Sequence, residues 1–161
     1  IDKISYASFL LELASQVTRN HLDHGIYDLL ISALYKIDEG FDPMVITNIV
    51  ELKYLDYLGV MPNLDCCSIC GNKTGIVTIS SSTGGYVCKN CVTQADSIID
   101  PKVLKLLRMF YYVDLSKIQK LEIKDHLKGE LNTFLDEYYD RYTGLYLKSK
   151  HFIQNLNKVI K

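Results

Sequence analysis

Apolar residues return every three or four positions along most of this chain, the period of helices that bury one face. From Tyr6 to about His21, Phe9, Leu10, Leu13, Ala14 and Val17 form such a stripe, with Glu12, Gln16 and Arg19 on the other side. A second helix is predicted from Ile26 to Asp38, with Leu29, Leu30, Ala33, Leu34 and Ile37 facing inward and Gly40 just past its last turn. The third has the clearest start. Asp42 can cap it, Pro43 suits a first position where an N–H would be unpaired anyway, and Gly59 can end it. Its apolar positions are Val45, Ile46, Ile49, Leu52, Leu55 and Leu58.

Residues 63–94 break this period. They carry Gly71, Gly75, Gly84 and Gly85, three successive serines and the β-prone run Ile76-Val77-Thr78-Ile79, a composition that predicts a hairpin. Helical patterning resumes at Asp100-Pro101 and runs through Val103, Leu104, Leu107 and Phe110 to Tyr111 and Tyr112. After a break near Asp114 to Ser116, one helix is expected from about Lys124 to Tyr142 and, past Gly144, another from about Leu145 to Val159. There is no internal repeat and no low-complexity tract.

The hairpin segment also carries the chemistry. Cys67-Ser68-Ile69-Cys70 and Cys88-Lys89-Asn90-Cys91 are two pairs with two-residue spacing, 17 residues apart, which is the pattern of a four-cysteine zinc site. Gly71 permits the tight turn after the first pair, and Gly84-Gly85 supplies the turn between two short strands. Cys66 adjoins the first pair; a chelate through Cys66 and Cys70 is conceivable but loses the spacing, so Cys67 is assigned. Four thiolates close a tetrahedral ion to water and substrate, so the expected cofactor is one structural Zn2+ per chain. Buried apolar thiols or a redox dithiol are the other readings of these cysteines. The expected fold is mainly α, a helical domain (1–62 and 95–161) interrupted by a zinc-ribbon insert (63–94) with a small antiparallel β-hairpin.

Composition fits this picture. A chain of 161 residues, 48% apolar, can bury a core. No apolar run approaches the roughly 18 residues of a membrane span, and the start does not resemble a signal peptide, so a cytoplasmic protein with no membrane partner is expected. Five cysteines in such a setting favour metal over disulfides. The absence of Met at the start suggests a piece of something longer. The net charge of -1 conceals 6 Lys/Arg against 12 Asp/Glu in residues 1–100 and 12 against 7 in residues 101–161, so an anion-binding surface is expected on the C-terminal third.

The segment Leu55-Asp56-Tyr57-Leu58-Gly59-Val60-Met61-Pro62-Asn63-Leu64-Asp65, followed by the two cysteine pairs with Gly84-Gly85 between them, resembles the bacterial recombination mediator family RecO. Near the C-terminus, Tyr142-Thr143-Gly144-Leu145-Tyr146-Leu147-Lys148-Ser149-Lys150-His151-Phe152 is similar to that family's closing motif, in which Lys-Ser-Arg/Lys leads into the last helix. The resemblance spans nearly the whole chain. It implies a helical, zinc-ribbon part that in the family follows an N-terminal OB-fold barrel, which this chain lacks. It further implies a non-enzymatic role in DNA repair: binding and annealing DNA and, with the partner RecR, helping load RecA onto strands covered by single-strand-binding protein. Without the barrel, the hold of this fragment on DNA is expected to be weak. The alternative is a standalone zinc-ribbon interaction module of transcription or translation. An enzyme would need an open metal position or a nucleophile with its base.

Arg141, Lys148 and Lys150 are the candidate DNA-phosphate contacts, against a reading as a solvated helix face. Tyr138, Tyr139, Tyr142 and Tyr146 could stack bases, but packing is the expected use. His21 and His24 are expected at the surface or in capping, His126 and His151 stand alone, and Asp136, Glu137 and Asp140 are expected to face water.

Overall fold

The computed structural model describes residues 2–19 and 21–160. Its elements are α1 (Asp2–Thr18), α2 (His24–Asp38), α3 (Pro43–Tyr57), β1 (Ile76–Ser80), β2 (Gly85–Cys88), α4 (Pro101–Tyr112), a short 3-10 turn (Leu115–Lys117), α5 (Asp125–Tyr142) and α6 (Lys148–Ile160). The protein is mainly helical, and the two strands pair antiparallel as a single small hairpin. No helix among the described residues is long and apolar enough to cross a membrane.

The caps explain the boundaries. Asp42 accepts the Met44 N–H at 2.9 Å with Pro43 in the first turn, and Asp100 accepts the Lys102 N–H at 2.9 Å ahead of Pro101, both as the sequence predicts. At the end of α3, Gly59 takes φ +74°, and the Val60 N–H reaches the Leu55 carbonyl, closing the helix with a left-handed glycine. Helix α1 ends before His21. Residues 21–23 instead link to α2, where Asp23 accepts the Gly25 N–H at 2.7 Å; His21 and His24 are both exposed.

Helix α3 is the axis of the core. From Val45 to Leu55 every residue except Lys53 is buried, including Thr47, Asn48 and Glu51, because α1, α2, α4 and α5 pack around it. Helix α5 contributes Leu127, Leu131, Phe134, Leu135, Tyr138 and Tyr139 to the core. The Tyr139 hydroxyl donates to the Glu51 carbonyl at 2.5 Å, and the Tyr138 hydroxyl to the Val60 carbonyl at 2.6 Å. These rings are packing elements with their polar ends satisfied.

The last helix and its contacts with α5 depart from expectation in three ways. It starts at Lys148 rather than Leu145, because Glu12 of α1 caps it from across the fold: one Glu12 oxygen accepts the Lys148 N–H at 2.8 Å, the other the Ser149 N–H at 3.1 Å and the Ser149 hydroxyl at 2.6 Å. Burial alone would raise the Glu12 pKa, but the Ser149 side-chain and backbone donors and the Lys148 N–H outweigh it and hold the carboxyl low. Second, Lys150 is not a surface cation. It is buried, its ammonium 3.3 Å from Glu51, 3.1 Å from Asp136 and 3.3 Å from the Asn132 side-chain oxygen, and 5.0 Å from the centre of the Phe9 ring. A charge so enclosed cannot reach a phosphate, so the sequence-based expectation of a DNA contact at Lys150 is corrected. Third, Asp136 turns inward to this ammonium and to Gln154, while Glu137 and Asp140 stay exposed.

One ammonium thus serves two carboxylates. Burial opposes the Lys150 charge, but Glu51 and Asp136 together more than offset it and raise its pKa. Glu51, without solvent and sharing its cation, gives way: burial pushes it up to about 7 against the pull of Lys150. Between pH 4.5 and about 7 the native carboxyl keeps a proton that the unfolded one has lost, so this group makes stability fall as pH rises through that window. Urea unfolding of Glu51→Gln should therefore show stability improving relative to wild type from pH 4.5 to 7. Lys150→Met should cost about 3 kcal/mol, and pairing it with Glu51→Gln should recover part of that loss.

Candidate metal centre

The four paired cysteines are brought together by the hairpin. Strand β1 pairs with β2 from Ile76↔Cys88 to Ser80↔Gly85, with an irregularity between Ile76 and Thr78, and this places Cys88 beside the first knuckle. In that knuckle the Gly71 N–H donates to the Cys67 carbonyl at 2.9 Å, with Gly71 at φ +78°, and the Cys67 N–H donates to the Asn72 carbonyl at 2.8 Å. In the second, the N–H groups of Cys91 and Val92 both reach the Cys88 carbonyl at 3.0 Å. Cys67, Cys70, Cys88 and Cys91 hold their sulfurs within 4.8 Å of one another, and they are the only such group of three or more potential ligands among the described residues.

The arrangement fits a thiophilic tetrahedral ion. Metal–sulfur bonds of about 2.3 Å place tetrahedral sulfurs about 3.8 Å apart, and Cys70 and Cys88 lie 3.6 Å apart. The Cys88 N–H points at the Cys67 sulfur, 3.4 Å away. Backbone N–H groups, that of Cys70 foremost and those of Cys88 and Ile69 with it, hold the Cys67 thiol down to about 6, whereas Cys91 is pushed up to about 12, chiefly by Cys70 and by burial. Four adjacent thiols cannot all ionise unaided, and a bound cation supplies the missing charge. Cys66 lies outside the group, its sulfur receiving the Asn63 side-chain amide at 3.3 Å.

Asn63 is the residue that sequence reasoning passed over. Its N–H donates to the Gly84 carbonyl and its carbonyl accepts the Tyr86 N–H, both at 2.9 Å, while its side-chain oxygen accepts the N–H groups of Asp65 and Cys66 at 3.1 Å. The segment passes so close to β2 that a Cβ at Gly85 would run into the Asn63 backbone. Gly85 is therefore needed for that approach, and Gly84, at φ +84°, for the turn. The only signal in the sequence is that Asn63 stands between Leu58-Gly59-Val60-Met61-Pro62 and the first cysteines.

The hairpin is fastened to the helices. Ile79 and Tyr86 join the helical core, the Tyr86 hydroxyl donates to the Leu104 carbonyl at 2.6 Å, and the Tyr142 hydroxyl donates to the Ser81 carbonyl. Arg108 of α4 reaches the Leu64 carbonyl at 2.8 Å and Asp65 at 2.6 Å. Of the remaining candidate phosphate contacts, Arg141 is exposed beside the hairpin tip and Lys148 is exposed at the start of α6; Lys150 is enclosed, as described above. Tyr146 is 63% exposed and lies 5.1 Å from the His151 ring.

A second surface was not visible in sequence. The outer side of α4 has an apolar floor of Leu106, Met109, Ile123 and Leu127, rimmed by Lys102, Lys105 and Lys124 and by one acid, Glu122, around a groove of about 350 Å³. Val113 and Tyr112 extend it past Arg108.

The family described as Recombination protein O C terminal matches residues 1–151. The DNA repair protein RecO of Listeria monocytogenes is 37% identical over 158 residues, covering 96% of this chain and 62% of that protein. Its counterpart from Bacillus pumilus is 36% identical over 160 residues, covering 98% and 62%. The chain thus spans less than two thirds of the length of these relatives.

Metal analysis should find one ion per chain, lost in Cys88→Ser and retained in Cys66→Ser. Because metal binding contributes on the order of 10 kcal/mol to a ribbon of this size, chelation should remove hydrogen-exchange protection from residues 63–92 while α1–α3 keep theirs.

Proposed function

The chain belongs to the family of recombination protein O C-terminal regions, and from that membership we propose that it serves DNA repair by homologous recombination as a non-catalytic, cytoplasmic accessory region. The family match over residues 1–151 is the observation that carries this reading. The metal held by Cys67, Cys70, Cys88 and Cys91 is Zn2+ in this proposal. Four thiolates suit it and complete its coordination, so its work is to hold the ribbon's shape.

The chain then acts through surfaces, contacting RecR and single-strand-binding protein and so assisting recombinase loading on single-stranded DNA. The α4 groove supports a protein contact: an apolar floor under a rim of three lysines and one glutamate, net positive, suits a segment that combines apolar and acidic side chains, and Met109 is 44% exposed within it. DNA contact by this region is weak and falls to exposed cations such as Arg141 and Lys148, each a salt-sensitive, sequence-independent attraction.

Calorimetry with purified RecR and single-strand-binding protein tests this. Binding of at least one is expected, weakened about tenfold or more by Met109→Asp with Lys105→Glu, at unchanged zinc content. Absence of binding to both, including when the remaining part of the longer protein is restored, would overturn the proposal.

A further inference from the structure

Between α2, α3 and the end of α4 lies a cavity of about 590 Å³, lined by none of the metal ligands and sharing only Tyr112 and Val113 with the extension of the α4 groove. Two helices end at it. Tyr57 is the last residue of α3 and Tyr112 of α4, and neither helix has a basic residue in its last turn. A helix C-terminus carries unpaired carbonyls and a partial negative charge that a cation would relieve. Around them the chain places three carboxylates: Asp56 in the last turn of α3, Asp114 just past α4, and Asp28 on α2. A carboxylate at the negative end of a helix breaks a local electrostatic rule, as functional surfaces do.

A single cation of the chain lines this space. Lys53 donates its ammonium to the Tyr111 carbonyl at 2.8 Å, at the negative end of α4. Among the described residues, neither Asp28 nor Asp56 forms an ion pair; the Asp56 carboxylate accepts only the Tyr111 hydroxyl, at 3.2 Å. The walls are aromatic as well as acidic. Tyr57, Tyr111 and Tyr112 line the cavity, the last two edge to face with centres 4.9 Å apart. Tyr112 already has one guanidinium, that of Arg108, 5.2 Å from its ring centre.

Ring faces, carboxylates and two helix C-termini around one open space favour a planar cation. A guanidinium both stacks on rings and forks to carboxylates, whereas an ammonium does neither as well. The cavity is wide and its walls Asp56 and Tyr112 are exposed, so a compact, strongly hydrated cation would keep its water and gain little, whereas a weakly hydrated guanidinium loses less on contact. A side chain delivered by a larger interface has its freedom already reduced. We propose that this cavity receives an arginine side chain of a protein partner, its guanidinium against Tyr111 and Tyr112 and paired with Asp28 and Asp56.

The test needs neither RecR nor single-strand-binding protein, so its result is independent of the function proposed above. The isotope-labelled chain is titrated by NMR with a blocked Gly-Arg-Gly peptide, the same peptide with citrulline in place of arginine, and spermidine. The arginine peptide should shift the amide signals of Asp56, Tyr111 and Tyr112, and the neutral citrulline peptide should bind about tenfold more weakly or not at all. Asp28→Asn with Asp56→Asn should abolish the difference between the two peptides, and Tyr112→Leu should weaken the arginine peptide several-fold with an unchanged melting curve. Should the double variant fail to fold, the Tyr112→Leu titration decides alone. No shift with the arginine peptide, equal affinity for arginine and citrulline, full binding by the variants, or spermidine outbinding the arginine peptide would overturn the proposal.

Discussion

The enclosure of α3 is the constraint on which the rest of the molecule depends. A helix packed on all sides satisfies its own backbone but has nowhere to put a polar side chain except against another element, and α3 carries Glu51 at its centre. The answer comes from distant parts of the chain: the Lys150 ammonium from α6, with Asp136 and Asn132 of α5 around it. The C-terminal helix, which buries few apolar residues of its own, is thereby tied into the core. Its first turn is tied a second time, by the Glu12 carboxylate of α1.

The same helix sets the course of the chain into the ribbon. Gly59 ends α3, the next residues run to Asn63, and Asn63 bonds to both sides of Gly85 in the hairpin. Two short strands are marginal in water, and this pair has three supports: the Asn63 clasp, the burial of Ile79 and Tyr86 among the helices, and the cysteine cluster at its open end. The cysteine cluster thus sits where it can set the shape of a small docked element.

Charge is distributed around α4 rather than merely between the two halves of the sequence. Three lysines and Glu122 rim the apolar groove on its outer side, while its C-terminus opens onto Asp28, Asp56 and Tyr57 of α2 and α3 beside its own Tyr111 and Tyr112. Neighbouring surfaces of opposite sign on one helix can orient a partner that bears both charges, and complementary fields of this kind act on register and encounter more than on raw affinity.

Local information determined what local chemistry can determine. The caps Asp42-Pro43 and Asp100-Pro101, the helical periods, the hairpin composition and the two cysteine knuckles each lie within a few residues of one another, and the structure shows these features where the pattern placed them. What depended on residues far apart in sequence was not legible. Glu12 read as an outward-facing acid, Lys150 as a surface cation and Asp136 as a solvated one, because nothing within a helical turn reveals that the partner comes from more than a dozen positions away. Only the packing of α1, α5 and α6 about α3 decided which charges meet, since burial sets the cost of an unpaired charge and burial belongs to the tertiary structure.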